Sequence, residues 1–127
     1  MKILLASTLA AFFVASGAVE ASAFTANFRW CSKMPQSTTS PAFTLSGIPK
    51  GTKSLALVMT DNQANYNHGG GTVPYTGRKI RCGAIASGWV GPFPPNGETH
   101  TYEFTIDAMD AAGKVLATAH AVRKFPE

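Results

Sequence analysis

The 127-residue sequence has little charge, only two cysteines and, past its first two dozen residues, no long apolar run. Asp, Glu, Lys and Arg together supply 14% of it. The basic residues are scattered, with Arg78-Lys79-Arg81 as the one cluster. A nucleic-acid surface needs a denser patch with interleaved aromatics, so nucleic acid is not an expected partner. The mild net charge of +4 suits small anions or a peripheral membrane contact better. Neither cysteine has a CxxC partner, which removes the usual support for a metal-binding pair. Catalytic signatures are missing too. There is no HExxH, and His68-Gly69-Gly70-Gly71, which imitates an esterase oxyanion loop, is followed by no G-x-S-x-G elbow. Gly47 to Ser54 imitates a phosphate loop, but its spacing is one residue short and it leads into a strand.

What is present begins with an export pattern. Lys2, an apolar stretch from Ile3 to Val14 and an Ala21-Ser22-Ala23 cleavage pattern make residues 1–23 a signal peptide. That leaves 24–127 as a single exported domain, periplasmic or extracellular. In an oxidising compartment an even cysteine count predicts a Cys31–Cys82 disulfide.

The exported part reads as mainly β, with little helix once the leader is gone. Phe24, Ala26, Phe28 and Trp30 alternate with polar residues, as do Phe43 and Leu45. Ser54 to Thr60 is a continuous apolar run, expected as a central strand buried on both faces. Asn62 to Gly77, rich in Asn and Gly, reads as a long functional loop, and Ile80, Cys82 and Ala84 as a further strand. Pro92, Pro94 and Pro95 stiffen a surface loop that hands over to the alternating strand Tyr102, Phe104, Ile106, Ala108. Asp110 to Gly113 has hairpin-turn composition, which favours a partner strand over a helix from Lys114 to Val122.

The polar residues at strand ends are the candidate site. Asp61 closes the apolar run, His68 lies in the Asn/Gly segment and His100 enters the strand after the proline loop. On neighbouring strands, Asp61 would orient the His100 imidazole beside glycine-rich backbone amides able to hold an anion. Each also has a plain structural role open to it, as a turn former, a solvated loop residue or a strand end. His120 has no flanking signal.

Taken in order, Ser40-Pro41-Ala42-Phe43, Gly47 to Leu57, Asp61, Gly91-Pro92-Phe93-Pro94-Pro95-Asn96-Gly97 and His100-Thr101-Tyr102 resemble the phosphatidylethanolamine-binding protein family, in its small bacterial Raf-kinase-inhibitor-like branch. The resemblance implies an antiparallel two-sheet β fold with a small anion pocket at one end. By position, Asp61 matches the first Asp of the family's DPDxP motif, Gly91 and Pro92 its loop backbone, and His100 and Tyr102 its H-x-Y strand. His68 stands near the histidine of the family's His-Trp-Val strand, which is otherwise missing, and Gln63 replaces the second Asp.

The resulting expectation is a non-catalytic binder of a small anion or phosphorylated head group, with no cofactor and no metal, using Asp61, His68, Gly91, Pro92, His100 and Tyr102. The alternative is a protein-interaction or inhibitor module docking through the Trp89–Pro95 loop, anchored by Trp89, Val90 and Phe93. A small hydrolase ranks last. An immunoglobulin-like sandwich is the runner-up fold, and it predicts no shared pocket for Asp61 and His100.

Overall fold

The computed structural model describes residues 10–11 and 23–127, and the signal peptide expected over 1–23 lies almost wholly outside them. Seven strands and no helix are found among the described residues: β1 (Thr25–Arg29), β2 (Ala42–Ser46), β3 (Ser54–Asp61), β4 (Tyr66–Pro74), β5 (Lys79–Ile80), β6 (His100–Met109) and β7 (Val115–Phe125). They form two antiparallel sheets, ordered β1-β2-β5 and β4-β3-β6-β7.

The core between the sheets is made by alternation. On β6, Tyr102, Phe104, Ile106 and Ala108 are all fully buried, while the residues between them are partly exposed. Phe28 and Phe43 from the smaller sheet meet Phe104 edge-on, at centroid distances of 5.1 and 4.8 Å. Edge-to-face packing of this kind adds to the stabilisation from burial alone.

The strand from Ser54 to Asp61 is central but not buried on both faces. Leu55, Leu57 and Met59 point inward, whereas Val58 is 39% exposed, because nothing among the described residues covers the outer face of that sheet. The proposed loop Asn62 to Gly77 is instead mostly strand. Tyr66 to Pro74 pairs along the whole of β3, and a turn of four residues joins them. Glycine allows this because β4 is hemmed in on both sides: a Cβ on Gly70 would lie 1.7 Å from the Leu57 carbonyl, and one on Gly69 1.9 Å from that of Gly88. Low β-propensity thus gave way to a requirement for close backbone approach. The strand expected through Ile80, Cys82 and Ala84 stops at Ile80, since the chain turns away to form the disulfide.

Other expectations hold. Gly113 takes φ +81° in the β6–β7 turn, where its amide donates to the Asp110 carbonyl, and β7 is a strand throughout. Cys31 and Cys82 are joined, with Cα atoms 5.9 Å apart.

Candidate functional site

Asp61 is the last residue of β3, where its neighbours are Tyr66 on β4 and Tyr102 on β6. Its Oδ1 accepts the amides of Gln63 (2.9 Å) and Ala64 (3.0 Å), so the side chain shapes the β3–β4 turn. Its Oδ2 accepts the Nδ1–H of His100 at 2.6 Å. Both the plain reading of Asp61 and the functional one are therefore true of different oxygens. Burial pushes the Asp61 carboxyl up, but the His100 hydrogen bond, the two turn amides and the charge on His100 outweigh it and hold it below the ordinary range.

The second nitrogen of His100 lies 3.0 Å from Oε2 of Glu98. Both ring nitrogens thus face carboxylate oxygens, which only accept. A neutral imidazole can satisfy one of them and an imidazolium satisfies both. The hydrogen bonds to Asp61 and then Glu98 raise the His100 pKa despite its burial. Both ring nitrogens of His100 are thus occupied within the protein, with no N–H left for a ligand.

His68 is placed by an irregularity in β4. Met59 pairs with Gly69 and Thr60 with Asn67, which leaves His68 as the extra residue of a β-bulge. Bulges re-aim side chains, and they recur beside functional sites. The Nδ1 of His68 lies 3.0 Å from the Val90 carbonyl, an acceptor, so Nδ1 carries the proton and Nε2 makes no hydrogen bond to the described protein. The ring is fixed between Tyr66 and Tyr102, with centroids at 4.9 and 5.4 Å.

The loop after Ile85 forms the other wall. It runs along the free edge of β4, where Gly70 donates to the Gly88 carbonyl and Val90 to that of His68, each at 3.0 Å. The Gly91 amide donates to the Ser37 carbonyl (2.8 Å), and Gln36 donates to the Pro92 carbonyl (3.0 Å), clasping the two loops together. A Cβ on Gly91 would lie 2.7 Å from the Ser37 carbonyl oxygen, so only glycine permits the clasp. The amides expected to cradle an anion are therefore already engaged within the protein.

These elements enclose a cavity of about 300 Å³, lined by Asp61, His68 and Gly91 together with Gln36, Tyr66 and Phe93. Of the six site residues expected from sequence, three reach it. His100, Tyr102 and Pro92 stand behind it as supports. Tyr102 is fully buried; burial first, then the charge of Asp61, raises its pKa, and its hydroxyl makes no well-formed hydrogen bond. Trp89, expected as an exposed anchor, is only 7% exposed and stacks on Phe104 at 6.5 Å, whereas Phe93 is 60% exposed. Sequence reasoning missed Glu98, whose signal was its place two residues before His100 on an alternating approach. It also missed Gln63, whose Oε1 accepts the Thr101 amide at 2.7 Å and ties the β3–β4 turn to β6. No group of three His, Cys, Asp or Glu residues that could hold a metal ion is found among the described residues.

Two antiparallel sheets with a cavity at the end of β3, walled by a glycine-proline loop, define a phosphatidylethanolamine-binding-protein-like fold. Among solved structures, the chain is similar to YbcL of E. coli, described as a new member of the mammalian PEBP family, with 20% identity, a TM-score of 0.61, and coverage of 82% of this chain and 98% of that one. It is likewise similar to CT736 of Chlamydia trachomatis D/UW-3/CX, a protein assigned as a phosphatidylethanolamine-binding protein homologue, with 18% identity, a TM-score of 0.58, and coverage of 83% and 98%. No family model and no curated protein matches the chain.

Proposed function

We propose that this chain is an exported, non-catalytic binding protein that takes a small anion or phosphorylated head group into the cavity between Asp61 and His68. The observation that carries the reading is the pairing on one cavity of a fixed carboxylate with a histidine whose Nε2 has no protein partner. A protonated phosphoryl oxygen, or the ammonium of a phosphoethanolamine group, gives Asp61 a donor. The unpartnered Nε2 of His68, with the proton on Nδ1, accepts a second hydrogen bond from the same donor group. The cavity lining contains no Ser, Thr, Cys or Lys, and Asp61 is committed to three hydrogen bonds within the protein, which favours binding over hydrolysis. The fold shared with the two solved structures supports the same class of ligand.

Thermal melting with phosphoethanolamine and with inorganic phosphate tests this. Ligand at ten times its Kd stabilises by about 1.4 kcal/mol, which corresponds to a rise in Tm of roughly 6 °C or more for a domain of this size. The rise should vanish in His68→Ala. In Glu98→Gln, which only loses a partner for His100, it should persist. A wild-type Tm that stays put at millimolar concentrations of both ligands would rule the proposal out.

A protein-docking role for the Trp89–Pro95 loop now rests on Phe93, since Trp89 belongs to the core. Phe93→Ala should abolish capture of a partner without changing Tm. A large drop in Tm would instead show that Phe93 is structural.

A further inference from the structure

The outward face of the small sheet carries a second, larger hollow that shares no lining residue with the Asp61–His68 cavity. Its origin lies in register. Asn27 of β1 pairs with Thr44 of β2, which pairs with Lys79 of β5, so these three form one cross-strand row. In the next row Arg29 pairs with Ala42, and Arg81, one residue past the Phe43–Ile80 pair, follows on the far side. Period-two alternation puts Arg29 and Lys79 on the same face, while Phe28, Phe43 and Ile80 turn into the core, and Arg81, just past the end of β5, lines the same hollow. The middle strand offers only short side chains, Ala42 and Thr44. A shallow trough with long basic walls results, with a volume of about 620 Å³.

Strands two positions apart in a sheet are separated by about 10 Å, so cations on β1 and β5 can close on one compact anion from both sides. Arg29, Lys79 and Arg81 are exposed and take part in no salt bridge among the described residues. Arg123 closes one end, but its charge is met by Glu127 and its Nε donates to the Phe28 carbonyl. No carboxylate lines the trough. The disulfide runs from just beyond Arg29 to the residue after Arg81, fixing the two walls relative to each other.

We propose that this trough is a binding site for a soluble phosphoryl polyanion of the pyrophosphate class, separate from the Asp61–His68 cavity. Three cations from opposite edges provide charge complementarity, and guanidinium groups hold phosphoryl oxygens bidentately. The Thr44 hydroxyl and the Asn27 amide supply neutral hydrogen bonds on the floor. A bilayer is the less suitable occupant, because the apolar residues lining the trough are buried ones and none projects for insertion.

Calorimetric titration of the folded protein with inorganic pyrophosphate at low salt tests the site. Wild type should bind. Arg29→Ala with Arg81→Ala should weaken binding about tenfold or more, the size of one lost charge-assisted hydrogen bond. Thr44→Glu, which places a carboxylate in the middle of the floor, should do the same through an independent change. The proposal fails if wild type does not bind. It also fails if binding is lost in His68→Ala but kept in the trough variants, since the anion then occupies the other cavity. It fails again if phosphatidylglycerol vesicles bind while pyrophosphate does not.

Discussion

Replacing Cys31 and Cys82 by serine, or reducing the bond, should cost about 4 kcal/mol of stability, the chain-entropy estimate for cross-linking residues 51 positions apart. The structure says where that loss should appear. β1 and β5 are the two edges of the small sheet, each paired with β2 between them, but β1 is also packed against β7 whereas β5 leans on β2 alone. β5 is two residues long, held by the pairs Phe43–Ile80 and Thr44–Lys79. Without the disulfide its release is opposed by little more than the burial of Ile80 and the bond from the Leu45 amide to the Arg78 carbonyl. Hydrogen exchange should therefore accelerate first at Leu45, ahead of Leu55 and Leu57 in the large sheet. Pyrophosphate affinity should fall with it, because the trough loses a wall, while phosphoethanolamine binding persists. Uniform acceleration across both sheets would show that the bond acts on the whole chain rather than on this edge.

Asp61→Ala should destabilise by roughly 3 kcal/mol or more, since three donors lose their acceptor at once and an unmet buried donor costs about 1–3 kcal/mol. The more telling effect is on pH dependence. The Asp61 pKa is lowered in the fold from its ordinary 3.8, so its contribution is complete above that value and lost as pH falls through the depressed folded pKa. The His100 pKa is raised from its ordinary 6.5, so its contribution is complete below that value and lost as pH rises through the elevated folded pKa. Wild-type stability from this pair should thus be greatest between pH 3.8 and 6.5 and decline on both sides. Asp61→Ala should flatten the acid limb and shrink the alkaline one, where Glu98 still supports His100. Glu98→Gln should move only the alkaline limb, to lower pH, because Glu98 supports His100 and does not touch Asp61. Denaturant midpoints measured across the pH range decide it. An alkaline limb left at full size in Asp61→Ala would mean that another group titrates there.

The altered roles within the site change which residue a binding experiment should probe. His100 is the natural choice from its place at the mouth of a strand behind a rigid loop. Its two nitrogens, however, are both occupied by carboxylates, so His100→Ala would remove a support for Asp61 and confuse lost folding with lost binding. His68 carries the free nitrogen, and its backbone is held by the Val90 amide independently of its ring.

Several features follow from the sequence alone. Strict alternation from Tyr102 to Ala108 determined a half-buried strand, Asp110 to Gly113 determined its return, and two cysteines behind an export pattern determined their pairing. Asp61, His100 and Tyr102 were legible as neighbours through their order in a family resemblance. Each of these signals is local, or depends on a count. Tertiary structure alone decided that His-Gly-Gly-Gly is a strand, because the need for glycine comes from two other backbones pressing on it, those of Leu57 and Gly88. It alone assigned the amide of Gly91 to Ser37, a residue 54 positions earlier, and so removed it from the ligand. It alone brought Arg29 and Lys79 to one hollow across Ala42 and Thr44, since register between strands is set by pairing and not by anything in either segment.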